Sequence, residues 1–492
     1  MTRWNHRGPR RLASGLALAW AALTSAVASA EDLRQAWSIA LGVNQGLKAQ
    51  QETSIASDFQ VKAANSARYF TVRSYNINTF LAQSPKARST LSNHNTSGSG
   101  SGNGGSTTGT GSTTAGGSSN FSGLAALPTV YALGTNQTFL PISLTSASLP
   151  LYTGGKLMRT VDAARFQLQA QRTEESRTAI DLKLTVAEAY VGVLRSKRNL
   201  DTARSNVEQL ASFARDVRNR LGQGLAIRSD ALAAQVSLAN AQINEIQART
   251  NLESAWATYN RYLCRSLDQF ADLEEISALP TDADFWEKMA AQVVANRSEF
   301  AGKNDQEARD LTIRAFRLRP ELAGLVQQAR ALGAQSDATR ANLRPQVTLN
   351  GGFLFLGAEN FIPQGNGFVS LLVDWTFTDS GRSRRQAASL SAQERAALRR
   401  KADLAADVAL QVRTRWLDLQ QSHQRVPVAR FAVIQSEENV KVITDRYRQQ
   451  LATYTEVLDA ETRRVTSLNN FHNSVYDENL AEFRLHRAVG DL

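Results

Sequence analysis

The chain has 492 residues with 42% hydrophobic and 21% charged side chains, the balance of a folded protein, and its length allows roughly two to four domains. A formal charge of +11 is spread among acids along helical segments, which excludes a basic stripe for nucleic acid, and a single cysteine, Cys264, excludes an internal disulfide. Five histidines (His6, His94, His423, His472 and His486) with no ligand spacing, no phosphate loop and no nucleophile elbow leave no basis for an enzyme, a metal site or a cofactor.

Residues 1–30 have the pattern of a secretory signal peptide. Arg3, Arg7, Arg10 and Arg11 precede the apolar run LASGLALAWAALTSAVASA, and Ala28-Ser29-Ala30 offers a cleavage site before Glu31. Removing those four arginines would lower the net charge to +7. No later segment has the ~18 unbroken apolar residues of a membrane-spanning helix.

Strand patterns come next. Tyr75, Ile77 and Thr79 alternate with polar residues within about 69–81, and Leu140, Ile142 and Leu144 do so within about 138–151. Between them lies a Gly/Ser-rich loop, 97–123, which cannot bury a core. Its GSGNGG matches GxGxxG by chance, since no strand-to-helix unit surrounds it.

A helical hairpin is predicted over 156–264. From Lys156 to Leu221 there is no proline and one glycine, Gly192. Leu182, Val186, Ala189, Val193, Leu200, Ala203, Val207, Leu210, Ala214, Val217 and Leu221 keep coiled-coil spacing, with one gap at Ser196. Such a helix is on the order of 100 Å long. Gly222-Gln223-Gly224 interrupts the pattern, and Leu232, Val236, Ala239, Ile243 and Ile246 resume it. Ser229 or Asp230 is placed to cap the returning helix.

The same plan recurs. Subtracting 226 aligns YRQQLATYTEVLDAE (447–461) with LGQGLAIRSDALAAQ (221–235): Leu451 falls on Leu225, Thr455 on Ser229 and Glu456 on Asp230. The chain therefore reads as a tandem duplication of helix, strand pair and long helical hairpin. The first repeat spans 31–270 and the second 311–492, with strands about 346–356 and 368–377 and a hairpin over 382–490; 271–310 connects them. Val347, Leu349, Phe353 and Phe355 alternate in one strand, and Val369, Leu371, Val373, Trp375 and Phe377 in the other. Strands of about ten residues with one apolar face suit a membrane barrel or a soluble sheet with one buried side. Four cannot close a barrel, so a membrane reading requires several chains. Pro427 falls inside the second hairpin, where a kink or break is expected.

This order of parts, with the strand-to-helix junctions LPLYTGGK and DWTFTDSGR and the turns GLAIRSDAL and YRQQLATYTEVLDA, resembles the outer membrane factor, or TolC-like, family. The resemblance implies a mainly α protein with membrane β-structure. Its long hairpins would build an α-barrel tunnel, and four strands per chain would contribute to a twelve-stranded barrel shared by a homotrimer. It implies an outer-membrane channel with a periplasmic helical extension. Such a channel works with an inner-membrane pump and a periplasmic adaptor in efflux or type I secretion, and 271–310 would be its equatorial segment.

By the same resemblance Asp230 and Tyr447 tie neighbouring helices at the periplasmic entrance, and Glu456 and Asp459 face the pore. Gly224, Leu225, Ser229, Leu451 and Thr455 form an adaptor-docking tip. Two departures concern the latch: Ala452 stands where an arginine is usual, and Gln450 where a glycine is. Other readings are a periplasmic coiled-coil structural or adaptor protein, a barrel adhesin whose Gly/Ser loop binds outside the cell, or a Glu456/Asp459 pair that only starts a helix.

Overall fold

The computed structural model describes residues 30–80, 139–276, 300–357 and 365–492. Residues 1–29 of the proposed signal peptide and the Gly/Ser loop 97–123 lie outside these residues, as do 277–299 of the connecting segment and 358–364 between the last two strands. In chain order the elements are α1 (Leu33–Val43), α2 (Gln45–Ser66), β1 (Thr71–Phe80), β2 (Phe139–Tyr152), α3 (Lys156–Gly222) and α4 (Arg228–Tyr262). Then follow α5 (Phe300–Leu318), α6 (Pro320–Arg340), a short 3-10 turn (Ala341–Leu343), β3 (Gln346–Leu356), β4 (Gly365–Asp374), α7 (Arg382–Arg448) and α8 (Tyr454–Val489). The helix starts keep the sequence offset of 226, since α7 and α8 begin 226 residues after α3 and α4. Among the described residues no helix is long and apolar enough to cross a membrane.

Two compact units divide these elements. The helical unit takes in the described residues up to Val61, with Asp162–Ser336 and Ala388–Leu492. Its largest core gathers Leu33, Ala36, Ala40 and Leu47 with Leu182, Val186, Tyr190, Trp256, Tyr259, Leu263, Tyr476 and Leu480. This cluster is the buried expression of the four-three spacing: Val186 and Val193 fall inside it. The Trp37 indole donates to the Lys183 carbonyl at 2.8 Å, which fixes α1 against α3. Glu31 is held by a fork of two bonds from Arg265, at 2.8 and 3.0 Å, and accepts from the Tyr259 hydroxyl at 3.1 Å.

Of the kink or break expected at Pro427, the break does not occur: helix α7 runs through it. The proline still lacks an N–H, which costs about 3 kcal/mol in a helix interior. Packing around it offsets this: the neighbouring Val426 is buried with Val433, Phe471 and Val475, tying α7 to α8 on either side of the proline.

The sheet unit comprises the described residues of Lys62–Val161 and Asp337–Ala387. Its four strands pair antiparallel in the order β1-β2-β3-β4, which leaves β1 and β4 as edges. The final strand begins at Gly365 and ends at Asp374, earlier than its alternation suggests, because Asp374 pairs with Gln346, the first residue of β3. Trp375 and Phe377 continue the alternation beyond the last pair. Glycine makes the early start possible: a Cβ at Gly365 would lie 2.5 Å from the Phe353 ring.

The register also distributes the apolar residues differently from the single-strand readings. Val347, Leu349, Phe353 and Phe355 share a face with Val369, Leu371 and Val373. Pairing of β2 with β3 places Ser143 and Thr145 on that same face, and Tyr75, Ile142 and Leu144 on the other. At the end of the helix junctions the apolar face of β3 and β4 is continued by Leu149, Ala147 and Val72, and at the other end by polar side chains on β2 and β1, where Ser74 bonds Thr145 at 3.1 Å and Ser143 donates to Asn76 at 2.6 Å. Each strand alternates as read, but register, not alternation, decides which faces join.

Candidate functional site: the paired hairpin turns

Within the helical unit both hairpins end in the same backbone motif. After α3 the N–H of Leu225 donates to the Arg220 carbonyl at 2.8 Å, and Gly224 sits in the left-handed region at φ 76°. After α7 the N–H of Leu451 donates to the Arg446 carbonyl at 2.8 Å, and Gln450 takes the left-handed place at φ 65°. This is a Schellman-type helix end, in which a left-handed residue lets the chain reverse while the last carbonyls keep donors. Glycine adopts it freely, whereas a side chain there is strained by about 1–2 kcal/mol.

The returning helices start differently. Ile227 is the N-cap of α4 and offers no side-chain bond. Ser229 and Asp230, expected to cap, fall inside the first turn instead. The Asp230 carboxylate still favours that helix end through its charge. The second start is a full capping box: Thr453 Oγ1 accepts from the Glu456 N–H at 3.4 Å, and the Thr453 N–H donates to the Glu456 carboxylate at 3.2 Å. The bond from the Thr453 N–H, a second from the Thr453 hydroxyl to Glu456 Oε1 at 3.0 Å, and the Arg446 charge hold the Glu456 carboxyl below the usual carboxylate range. Within one chain Glu456 is therefore engaged in starting α8, and Asp459, one turn on, is exposed.

Between the turns the hairpins share a small core. Val217 on α3, Ala234 on α4 and Tyr454 on α8 are buried together, lined by Phe213, Ala226, Ala231, Tyr447 and Leu458. Tyr447 bridges the hairpins. The Arg220 guanidinium lies 5.0 Å from its ring centroid, and the Tyr454 ring meets it edge-on at 6.1 Å. Burial raises the Tyr447 phenol pKa; Arg220 opposes the rise, while Asp230 and Asp216 add to it. Tyr454 is pushed up to about 12, chiefly by burial and also by Tyr447 and Asp230. Its hydroxyl is buried with no hydrogen-bond partner among the described residues. The structure thus packs Tyr447 on Arg220 and Tyr454, with the Asp230 charge near enough to act on both phenols.

The tip residues Gly224, Leu225, Ser229, Leu451 and Thr455 are all exposed. Leu225 and Leu451 are 55% and 64% exposed, and Ile227 beside them 64%. Two features escaped the sequence reading. One is the Arg220–Tyr447–Tyr454 stack; Arg220 aligns with Arg446 across the repeat, but nothing in spacing alone aims it at a ring. The other lies a turn further into α8: Glu461 and Arg464 are buried as a bidentate pair, with Arg464 Nε 3.0 Å from Glu461 Oε2 and Nη2 2.6 Å from the Gln209 side chain. The three-residue spacing of opposite charges was the available signal. A polar cavity of about 390 Å³ adjoins the pair, lined by Asn206, Ser237, Asn240, Asn244, Thr462 and Thr466 among others. Among the described residues no cluster could hold a metal ion.

Residues 134–263 match the family described as Outer membrane efflux protein. No curated protein matches the chain. Solved structures do. The outer-membrane channel OprN is similar at a TM-score of 0.69 and 15% identity, over 94% of this chain and 90% of that one. The outer membrane protein VceC of Vibrio cholerae is similar at 0.68 and 14%, over 93% and 96%. The CmeC outer membrane channel of Campylobacter jejuni is similar at 0.69 and 11%, over 93% and 85%. Residues 134–263 thus match the outer membrane efflux protein family, and the chain shares the fold of these outer-membrane channels.

Proposed function

We propose that the chain is the outer-membrane channel of a tripartite efflux or type I secretion system, working as a homotrimer. The observation that carries this reading is the four-stranded sheet with two unpaired edges, β1 and β4. Hydrocarbon does not tolerate unpaired backbone groups, so a spanning sheet has to close. Three copies joined edge to edge would give a twelve-stranded barrel, an even number within the range of outer-membrane barrels. The helices support the same closure. Leu232, Val236, Ile243 and Ile246 form an exposed apolar stripe along α4, and Leu410, Leu417, Val428 and Val442 form another along α7. Neighbouring copies would cover these stripes and build a helical tunnel on the periplasmic side.

In this reading the paired turns are the tunnel entrance. Tyr447, with Asp230 beside it, holds the two hairpins together, and Glu456 and Asp459 present carboxylates at the opening. Three copies would place six acids there, which would favour cations. Gly224, Leu225, Ser229, Leu451 and Thr455 would dock a periplasmic adaptor, which in turn meets an inner-membrane pump. The test is solute release from vesicles carrying the purified protein. A channel releases small solutes from them. A sealed vesicle, with the protein recovered soluble from the periplasm, would support a coiled-coil structural protein instead.

A further inference from the structure

At the end of the sheet where β2 leads to α3 and β4 to α7, five large aromatic residues are exposed. They are Tyr69 and Phe70 before β1, Tyr152 at the end of β2, and Trp375 and Phe377 after β4. The register puts them at the same end of the sheet, with Tyr69 and Phe70 a few residues nearer its middle: Thr71 lies opposite Ser148, Tyr152 opposite Val347, and Gln346 opposite Asp374. Trp375 and Phe377 stack with centroids 4.2 Å apart, and the Trp375 indole donates to the Leu343 carbonyl at 3.2 Å, so these rings are fixed in place. Rings of this kind gather where hydrocarbon gives way to headgroups.

Immediately beyond the rings the chain becomes basic. The segments 68–70, 152–159, 337–346 and 374–387 hold eight bases, Arg68, Lys156, Arg159, Arg340, Arg344, Arg382, Arg384 and Arg385, against three acids, Asp337, Asp374 and Asp379. Two of the acids are engaged. Asp337 lies 3.8 Å from both Arg159 and Arg340, and Asp379 accepts the Ser383 N–H at 2.7 Å. Arg344 donates to the Gly154 carbonyl at 2.9 Å. Arg68, Arg382, Arg384 and Arg385 are exposed and form no ion pair with a carboxylate among the described residues. Neither α3 nor α7 has an acid in its first turn to neutralise them.

We infer that this collar binds the phosphates of anionic phospholipid headgroups in the leaflet that meets this end of the strands. The inference rests on the membrane reading of the sheet. A line of guanidinium groups beside an aromatic girdle lies where a leaflet presents its phosphates, and guanidinium holds a phosphate through two parallel bonds. Basic side chains next to a bilayer select anionic lipid in the same way.

The experiment uses the full chain, purified from outer membranes and reconstituted into phosphatidylcholine vesicles with or without phosphatidylglycerol. Spin-labelled lipids report the composition of the shell around the protein. Phosphatidylglycerol is expected to be enriched over phosphatidylcholine. In the Arg382→Gln/Arg384→Gln/Arg385→Gln variant its relative affinity should fall roughly tenfold. The Arg399→Gln/Arg400→Gln variant, exposed further along α7, should keep the wild-type preference. Excess inorganic phosphate should not abolish it. Equal affinity for the two lipids in the wild type, an unchanged preference in the triple variant, or full displacement by phosphate would each overturn the proposal. Wild-type protein that forms pores without lipid preference would sink the collar alone. Protein that inserts into neither vesicle would remove the membrane reading and the collar with it.

Discussion

Replacing Tyr447 by alanine should loosen the proposed entrance. The ring meets the Arg220 guanidinium of the first hairpin at 5.0 Å and the Tyr454 ring of its own hairpin at 6.1 Å. Only the Arg220 contact joins one hairpin turn to the other, so it belongs to the closed arrangement, while Tyr454 holds the ring in place. A cation over an aromatic face contributes about 0.5–2 kcal/mol. Losing that contact weakens the closed state by the same amount, and each 1.4 kcal/mol is tenfold in an equilibrium. The open fraction should therefore rise by roughly 2- to 30-fold, read as conductance in planar bilayers. Tyr447→Phe keeps the ring and should stay within about twofold of wild type, since the ring contacts hold the hairpins. Wild-type conductance in Tyr447→Ala would refute the entrance assignment. Equal opening in Tyr447→Phe and Tyr447→Ala would refute the ring-packing argument and give the latch to the hydroxyl.

Three further outcomes are expected. Gln450→Gly should stabilise the folded protein by about 0.5–1 kcal/mol, because glycine relieves left-handed strain at a smaller entropic cost, whereas Gly224→Ala should cost about 1–2 kcal/mol at the matching place; thermal melting of both variants checks the pair. Arg464→Leu should destabilise by about 3–5 kcal/mol by stranding the buried Glu461 carboxylate, and Arg464→Leu/Glu461→Leu should recover much of that loss; a denaturation series in which the double variant is the worse of the two would contradict it. His472 is held below the usual histidine pKa by burial and by Arg198 and Arg430, with Glu275 and Asp201 opposing from their side. A histidine depressed in the folded state takes up its proton more readily when unfolded, so stability should fall as pH drops through about 6.5. His472→Gln should blunt that fall in melting temperature between about pH 7 and pH 5.

The long helices were legible because a four-three rhythm leaves few alternatives, and the offset of 226 reappears in the helix starts. Sheet faces were not. Alternation along β2 identifies Ile142 and Leu144 as one side, but only pairing with β3 shows that Thr145 joins Phe353 instead. No break occurs at Pro427, because the local rule leaves out the packing of Val426 and Val433 on Phe471 and Val475. Ser229 and Asp230 looked like caps by residue type, yet the chain leaves its Schellman turn at Leu225 and enters α4 at Arg228, two residues too early for Ser229 and three for Asp230. At the site, the duplicated turn was readable. The Arg220–Tyr447–Tyr454 stack was not, since it joins residues from three helices whose approach no spacing records.

The measurement that bears most directly on the central reading is the mass of the detergent-extracted protein taken from purified outer membranes. A trimer in that fraction is expected, because only several copies can cover the β1 and β4 edges and the apolar stripes of α4 and α7. A monomer recovered soluble from the periplasm would contradict it.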